Sequence, residues 1–434
     1  MIKRDIYLNR LIASKDNGIP KIITGIRRCG KSYLLKEIYR DYLIKNGVSE
    51  NHILILELDD DRNALLRDPI NLGKYIRDYC KEKSRYYIVL DEIQKVYTII
   101  NPALTEGKHI IADKASGETI SFVDVVLGLS REPNIDLYVT GSNSHMLSTD
   151  IITEFRDKAE NINLAPLSFS EYYEYVGGSA NDAVNEYLLY GGMPLAVLKP
   201  EDEKRTYLSG LFATTYFKDI IERNNLRKTE SLDELCRILS VATGSPLNAE
   251  KIANTYESVR HEKIDKQTVE KYIACFNESF LLRQASRYDV KGRKEIGALR
   301  KYYFTDVGLR NAILNFAYSD EGILLENAVY NELIFNGYTV NVGIFDSIEK
   351  NKDGKSVRKS YEIDFYAVKG NRKYYIQVAD NISDVKTKER ETRPYSLVSD
   401  NITKVIVLNK SIKETLDDNN YVIIGAADFL LRYI

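Results

Sequence analysis

Residues Gly25-Ile26-Arg27-Arg28-Cys29-Gly30-Lys31-Ser32 match the pattern G-x-x-x-x-G-K-[ST] in full, and no other stretch restricts the fold of this chain as tightly. Each part has a chemical reason. Glycines let backbone N–H groups turn inward around phosphate oxygens. Lys31 brings a positive charge to the β- and γ-phosphates, and the Ser32 hydroxyl is a ligand for Mg2+. Such a loop works between a strand and a helix. The apolar run at residues 21–24 reads as the strand, and residues 33–39 read as a helix whose positive end faces the anion. The expectation is an ATP–Mg2+ site touched by Gly25, Arg27, Arg28, Cys29, Gly30, Lys31, Ser32 and Tyr33. The alternative, a chance match in a Gly/Lys loop, has both flanks against it.

A phosphate loop of this kind needs an acidic partner. Tyr87-Ile88-Val89-Leu90-Asp91-Glu92 is an apolar strand ending in adjacent acids. Asp91 can hold Mg2+ through water, and Glu92 can orient or deprotonate the attacking water. Alone, the stretch would equally be a buried strand ending in a charged turn; after a complete phosphate loop the catalytic reading is preferred. The paired acids also set the chain apart from kinases, which use different parts. Leu137-Tyr138-Val139-Thr140-Gly141-Ser142-Asn143 ends in small polar residues, and Ser142 or Asn143 can sense the γ-phosphate or the attacking water; a plain Gly-Ser turn is the alternative. Strand-like runs at 21–24, 53–58, 86–90 and 137–140 with helical patterns between them predict a parallel sheet flanked by helices. Between Tyr97 and Ser121 that rhythm fails; Pro102, Gly107 and Gly117 mark an insertion or loop.

At 434 residues the chain has room for two to four domains. From about residue 168 the pattern turns helical. Helices predicted near 231–242, 249–256 and 265–276 are followed by β-like runs at 280–283 and 301–305 around the basic loop Lys291-Gly292-Arg293-Lys294. Three short helices and a basic hairpin describe a winged-helix unit. From Leu324 a helix at 325–336 and strands at 338–342, 361–368, 373–378 and 404–408 describe a compact α/β domain. Lys and Arg number 61 against 63 Asp and Glu, a net charge of −2, so no overall basic field draws the molecule to nucleic acid and any DNA surface is a local patch. The four cysteines, Cys29, Cys80, Cys236 and Cys275, form no CxxC pair, which argues against a zinc site or a disulfide framework and suits a reducing cytoplasm. The opening residues carry no apolar signal segment. The longest apolar stretch, near 422–431, is too short to span a bilayer and is broken by Asp428.

Taken with Leu90-Asp91-Glu92-Ile93-Gln94, Val139-Thr140-Gly141-Ser142-Asn143-Ser144, Pro166-Leu167-Ser168-Phe169 and Tyr190-Gly191-Gly192-Met193-Pro194, the phosphate loop gives the chain a resemblance, over nearly its whole length, to prokaryotic AAA+-type ATP-binding proteins with a C-terminal domain of uncharacterised function. The resemblance implies an α/β P-loop NTPase core at 1–165, a helical lid at 166–230, a winged helix at 231–318 and a restriction-endonuclease-like α/β fold at 319–434. The family's Arg-Gly-Arg stretch reads Arg156-Asp157-Lys158 here, so Arg156 and Lys158 stand as candidates for a finger on a neighbour's nucleotide. Lys158 lacks the bidentate fork of arginine, which puts oligomer-dependent hydrolysis in question. Gly192-Met193-Pro194 is similar to the Gly-x-Pro element whose proline covers adenine in signalling NTPases; Pro194 is the candidate, and a plain turn is an equal alternative.

The terminal domain resembles the PD-(D/E)XK nuclease fold, which implies a helix glutamate, a strand aspartate and an E-x-K around Mg2+. Glu326 and Asp364 fit the first two positions. The third reads Ile376-Gln377-Val378-Ala379, with glutamine for the acid and alanine for the lysine; Lys373 or Lys386 would have to move in. A degenerate, non-cleaving fold is expected. Lys386, Lys388, Arg390 and Arg393, and on the winged helix Lys266, Lys271, Lys291, Arg293 and Lys294, can touch a DNA backbone or be ordinary solvated charge. The leading expectation is a cytoplasmic Mg2+-dependent ATPase that switches a DNA- or protein-binding C-terminal half. The alternatives are an ATP-gated DNA nuclease using Glu326 and Asp364, and a regulatory module that holds nucleotide without hydrolysing it.

Overall fold

The computed structural model describes residues 2–113, 117–141, 155, 158–218, 220–221, 229–318, 320–350, 355–382 and 384–433. The chain divides into two compact units, Met1–Ala165 and Pro166–Ile434.

In the first unit, β1 (Lys21–Thr24), β2 (Ile53–Glu57), β3 (Tyr86–Asp91), β6 (Ile135–Thr140) and β7 (Glu160–Asn163) form one sheet in the order β2-β3-β6-β1-β7. All four pairings are parallel. The three inner strands are buried at every residue, so they are mostly apolar rather than alternating, and the charged Lys21 of β1 and Asp136 of β6 pair with each other across adjacent strands. Helices Pro69–Tyr79 and Phe122–Leu129 contribute Leu72, Ile76, Val126 and Leu129 to the core on the sheet. Each helix starts where its sequence supplies a cap: Asp68 accepts the amides of Ile70 and Asn71, and Ser121 and Asp124 form a capping box. Between them the stretch expected to be an insertion holds a short ribbon, β4 (Ile99–Ile100) with β5 (Thr119–Ile120).

The second unit opens with helices Phe169–Val176, Ala180–Tyr190, Pro194–Val197 and Glu201–Leu211. Helices Thr229–Val241, Ala249–Arg260 and Lys266–Glu278 follow, then a hairpin of β8 (Leu282–Asp289) and β9 (Lys294–Phe304). After helices Val307–Ile313 and Glu321–Phe335 come β10 (Thr339–Lys350), β11 (Ser356–Lys369), β12 (Arg372–Ala379), helix Val385–Ser396, β13 (Thr403–Leu408), β14 (Thr415–Leu416) and β15 (Val422–Gly425). The hairpin does not stand apart from them. β8 pairs in parallel with β10, so that one sheet runs β14-β15-β13-β12-β11-β10-β8-β9. Strands from both sides of the boundary expected between residues 318 and 319 therefore share one sheet. Among the described residues no helix is long and apolar enough to cross a membrane; the apolar run near 422–431 is β15 and the helical turns after it, with Val422, Ile424, Phe429 and Leu430 buried.

Candidate functional site

The phosphate-loop residues leave β1 at its C-terminal end, where open parallel sheets place ligands. Gly25 has φ +140°, and a Cβ there would lie 2.1 Å from the Leu164 carbonyl oxygen, so only glycine fits. Leu164 holds the loop from below: its amide donates to the Thr24 carbonyl at 2.7 Å, and the Cys29 thiol donates to its carbonyl at 3.4 Å. Arg28 and Gly30 take left-handed φ values of 66° and 99°. Cys29 is buried, Arg27 half-buried, and Arg28 and Tyr33 are exposed. The Lys31 ammonium, buried, donates to the carbonyls of Gly25 at 3.0 Å and Ile26 at 3.1 Å. From Lys31 the helical segments Lys31–Tyr33, Leu34–Tyr39 and Arg40–Lys45 run end to end, the middle one with the wider π-type bonding that recurs at functional sites.

Because β6 lies between β1 and β3, the ends of all three strands converge. The Ser32 hydroxyl donates to Asp91 Oδ1 at 3.0 Å, and the Thr140 hydroxyl donates to the same oxygen. The Lys36 ammonium pairs with Asp91 Oδ2 at 3.1 Å and with Glu57 at 2.6 Å. Burial draws the Lys36 ammonium down, but Glu57 and Asp91 outweigh it and leave it raised. Ser32 and Asp91 thus present hard oxygens side by side, a donor set that suits Mg2+. Glu92 follows with φ +56°, a left-handed conformation that a non-glycine residue adopts only when its surroundings enforce it. Its amide donates to Thr140 Oγ1 at 3.2 Å, and Gln94 hydrogen-bonds its carboxylate. Lys36 and Thr140 were absent from the sequence-based expectation. Lys36 lies four residues after Ser32, one helical turn on, and that spacing was the available signal. Ser142, Asn143 and Arg156 lie outside the described residues. Lys158 is exposed, with its amide on the Phe155 carbonyl at 2.8 Å.

Pro194 begins a short helix in the second unit. The glycines before it serve packing. Gly191 has φ +70° and faces the Asp306 carboxylate, and a Cβ on Gly192 would lie 2.3 Å from the Leu167 carbonyl. The Gly192 amide donates to Asp306 Oδ2 at 2.7 Å, while Asp306 Oδ1 caps the helix Val307–Ile313 through the Leu309 amide at 2.9 Å. Burial pushes Asp306 up to about 6 against the pull of those amides.

Glu326 and Asp364 come together, and a lysine joins them from neither expected place. Lys301, on β9, is buried, with its ammonium 3.0 Å from Glu326, 2.9 Å from Glu362 and 3.6 Å from Asp364. The Tyr303 hydroxyl donates to Glu326 at 2.6 Å. Gln377 stands beside the cluster, accepting the Asp364 amide at 3.4 Å and donating to Glu391 at 3.1 Å. Lys373 is exposed, and the Lys386 side chain lies outside the described residues. The lysine beside these acids is thus neither Lys373 nor Lys386 but one remote in sequence, brought there because the hairpin belongs to the same sheet. Burial, with Glu326 beside it, pushes Asp364 up to about 7 against the pull of Lys301.

Comparison with known proteins gives these features a setting. Residues 17–173 match the family model described as an AAA domain, and residues 181–320 match a domain of unknown function. A protein of Haemophilus influenzae, described as uncharacterized, is 31% identical over 100% of this chain and 99% of its own length. A second uncharacterized protein, from Methanocaldococcus jannaschii, is 26% identical over 98% of this chain and 89% of its own. Among solved structures the chain is similar to the Aeropyrum pernix ORC1 protein in complex with DNA, at 13% identity and a TM-score of 0.28 over 72% of this chain and 92% of that one.

Proposed function

The chain belongs to the same family as the Haemophilus influenzae relative and carries an AAA domain, and on that premise we propose that it is a Mg2+-dependent ATPase whose nucleotide state switches residues 166–434 between binding postures. The observation that carries the ATPase reading is the convergence on Asp91 of donors from the phosphate-loop helix and from β6, with Glu92 held next to it. Lys31 exchanges its two loop carbonyls for phosphate oxygens, and the loop amides from Gly25 to Ser32 orient the phosphates. Ser32 and Asp91 would hold Mg2+, which adds positive charge against the phosphate oxygens. Glu92 takes the proton of, or aligns, the attacking water, and the Gln94 side-chain amide holds its carboxylate. That arrangement favours turnover over passive nucleotide storage, which has no use for a positioned acid.

In the second unit we read the helices from Thr229 to Glu278 with the β8–β9 hairpin as a winged helix, and the sheet from β10 to β13 with helix Glu321–Phe335 as a nuclease-like fold. A cleft of about 580 Å³ lies in that helix-and-hairpin region, lined by Asn248, Glu250, Lys266, Glu270 and Arg300 among others. Its mixed charge suits a protein surface better than a phosphate backbone. The switch is tested by limited proteolysis of the full chain with and without ATP–Mg2+. Cleavage rates within residues 166–434 that shift with nucleotide, and fail to shift in Lys31→Ala, support the coupling; identical patterns remove it.

A further inference from the structure

The carboxylate cluster of the second unit has a composition and a geometry of its own. Lys301 and Tyr303 are two apart on β9 and point to one face; Glu362 and Asp364 are two apart on β11 and point to one face. Glu326 reaches in from helix Glu321–Phe335. Three carboxylates surround the three N–H donors of one ammonium, all within 3.6 Å. The neighbouring valences are also filled. Tyr303 donates to Glu326 at 2.6 Å, and the Val378 amide donates to Asp364 Oδ2 at 2.9 Å. The Tyr303 ring is stacked on Tyr330 at 4.2 Å, and Phe365 closes against both rings, so β9 cannot carry its lysine away without breaking an aromatic layer. At Gly244 a Cβ would lie 3.1 Å from Glu326, so the backbone closes that side as well.

We infer that the Lys301 ammonium is the resident cation of this site, standing where a nuclease of this architecture would hold its divalent metal, so that the terminal sheet takes no metal and cleaves no phosphodiester. A divalent ion would need the same oxygens at about 2.0–2.6 Å, and it would meet a tethered positive charge already among them. Among the described residues, no group of three or more His, Cys, Asp or Glu side chains is arranged to hold a metal ion; here the carboxylates are splayed around nitrogen instead. This role for Lys301 rests on the nuclease-like reading of the sheet and not on whether the P-loop unit turns over ATP.

The test is Mn2+ binding to the nucleotide-free full chain, with free Mn2+ counted by electron paramagnetic resonance. The wild-type chain is expected to bind no more Mn2+ than Asp364→Asn. Lys301→Met and Lys301→Ala are expected to gain one Mn2+ per chain, lost again when Asp364→Asn is added. Wild-type binding that Asp364→Asn or Glu326→Gln removes would overturn the inference, as would folded Lys301 variants that gain nothing. If both Lys301 variants fail to fold, the wild-type comparison decides, together with a nicking assay on supercoiled DNA in Mg2+ and Mn2+. Nicking by the wild-type chain that Asp364→Asn abolishes overturns the inference; its absence upholds it.

Discussion

Glu332 is a buried acid whose replacement should stabilise the protein, and only at the right pH. It sits on helix Glu321–Phe335, 3% exposed, with one oxygen accepting the Phe169 amide at 3.0 Å and the other accepting the Asn336 side-chain amide at 3.2 Å. Burial pushes its carboxyl up to about 8 from an ordinary value of 4.5; the Phe169 amide and Asn336 pull it down, and Glu171 nearby pushes it further up. The sign follows from linkage. A group whose folded value is raised stabilises the fold fully below its unfolded value, so this contribution is whole below about pH 4.5 and is lost as pH rises through about 8. At full development a displacement of that size is worth roughly 4–5 kcal/mol, and relaxation of the buried site reduces it to roughly 2–3 kcal/mol. Glu332→Gln keeps the shape and the acceptor for Phe169, removes the titration, and sets an amide donor against Asn336 at a cost of about 1 kcal/mol. The variant should therefore be about 1–2 kcal/mol more stable than wild type at pH 8.5 and about 1 kcal/mol less stable at pH 4.5. Urea unfolding followed by far-ultraviolet circular dichroism at both pH values reads this as a midpoint rise of roughly 0.5 M at pH 8.5 only. A variant that is less stable at pH 8.5, or a difference that is the same at both pH values, would refute the reasoning.

Two other substitutions probe the sites. Gly192→Ala forces a methyl group against the Leu167 carbonyl and disturbs the amide held by Asp306; it should cost roughly 1–3 kcal/mol of stability, read as a lowered unfolding midpoint, with ATP affinity unchanged. Lys36→Met frees Asp91 from its ammonium partner, so the Mg2+ concentration giving half-maximal hydrolysis should fall, roughly two- to tenfold, while turnover at saturating Mg2+ persists. A rise in that concentration would mean that Lys36 helps to assemble the site rather than competing for it.

What could be read from the sequence was what is contiguous in it. The phosphate loop carries its own strand, turn and helix start within a dozen residues, and Asp91 and Glu92 close an unbroken apolar strand. Periodicity also placed the three helices before the hairpin to within a few residues, because their buried faces repeat at helical spacing. What escaped depends on pairing between distant segments. Lys301 sits sixty-odd residues before Asp364, on a strand whose place in the sheet is set by the parallel pairing of β8 with β10, and no local spacing announces that neighbour. Turn chemistry alone leaves Gly192-Met193-Pro194 equally an adenine-covering element and a plain turn after a helix. Gly191 and Gly192 are required by Asp306 and Leu167, which no local pattern brings alongside them. Thr140 lies two residues before Ser142 in the same stretch, but a hydroxyl at the last strand residue does not reveal which adjacent strand it faces.

The central claim is that the P-loop unit binds and hydrolyses ATP through Lys31, Asp91 and Glu92. The direct measurement is equilibrium binding of ATP–Mg2+ to the full chain, with steady-state phosphate release on the same samples, for wild type, Lys31→Ala and Glu92→Gln. The account predicts binding and turnover by wild type, binding without turnover by Glu92→Gln, and affinity at least about tenfold weaker for Lys31→Ala, since a charge-assisted phosphate contact is worth at least about 1.4 kcal/mol. A Lys31→Ala chain that binds and hydrolyses ATP as wild type does would contradict it.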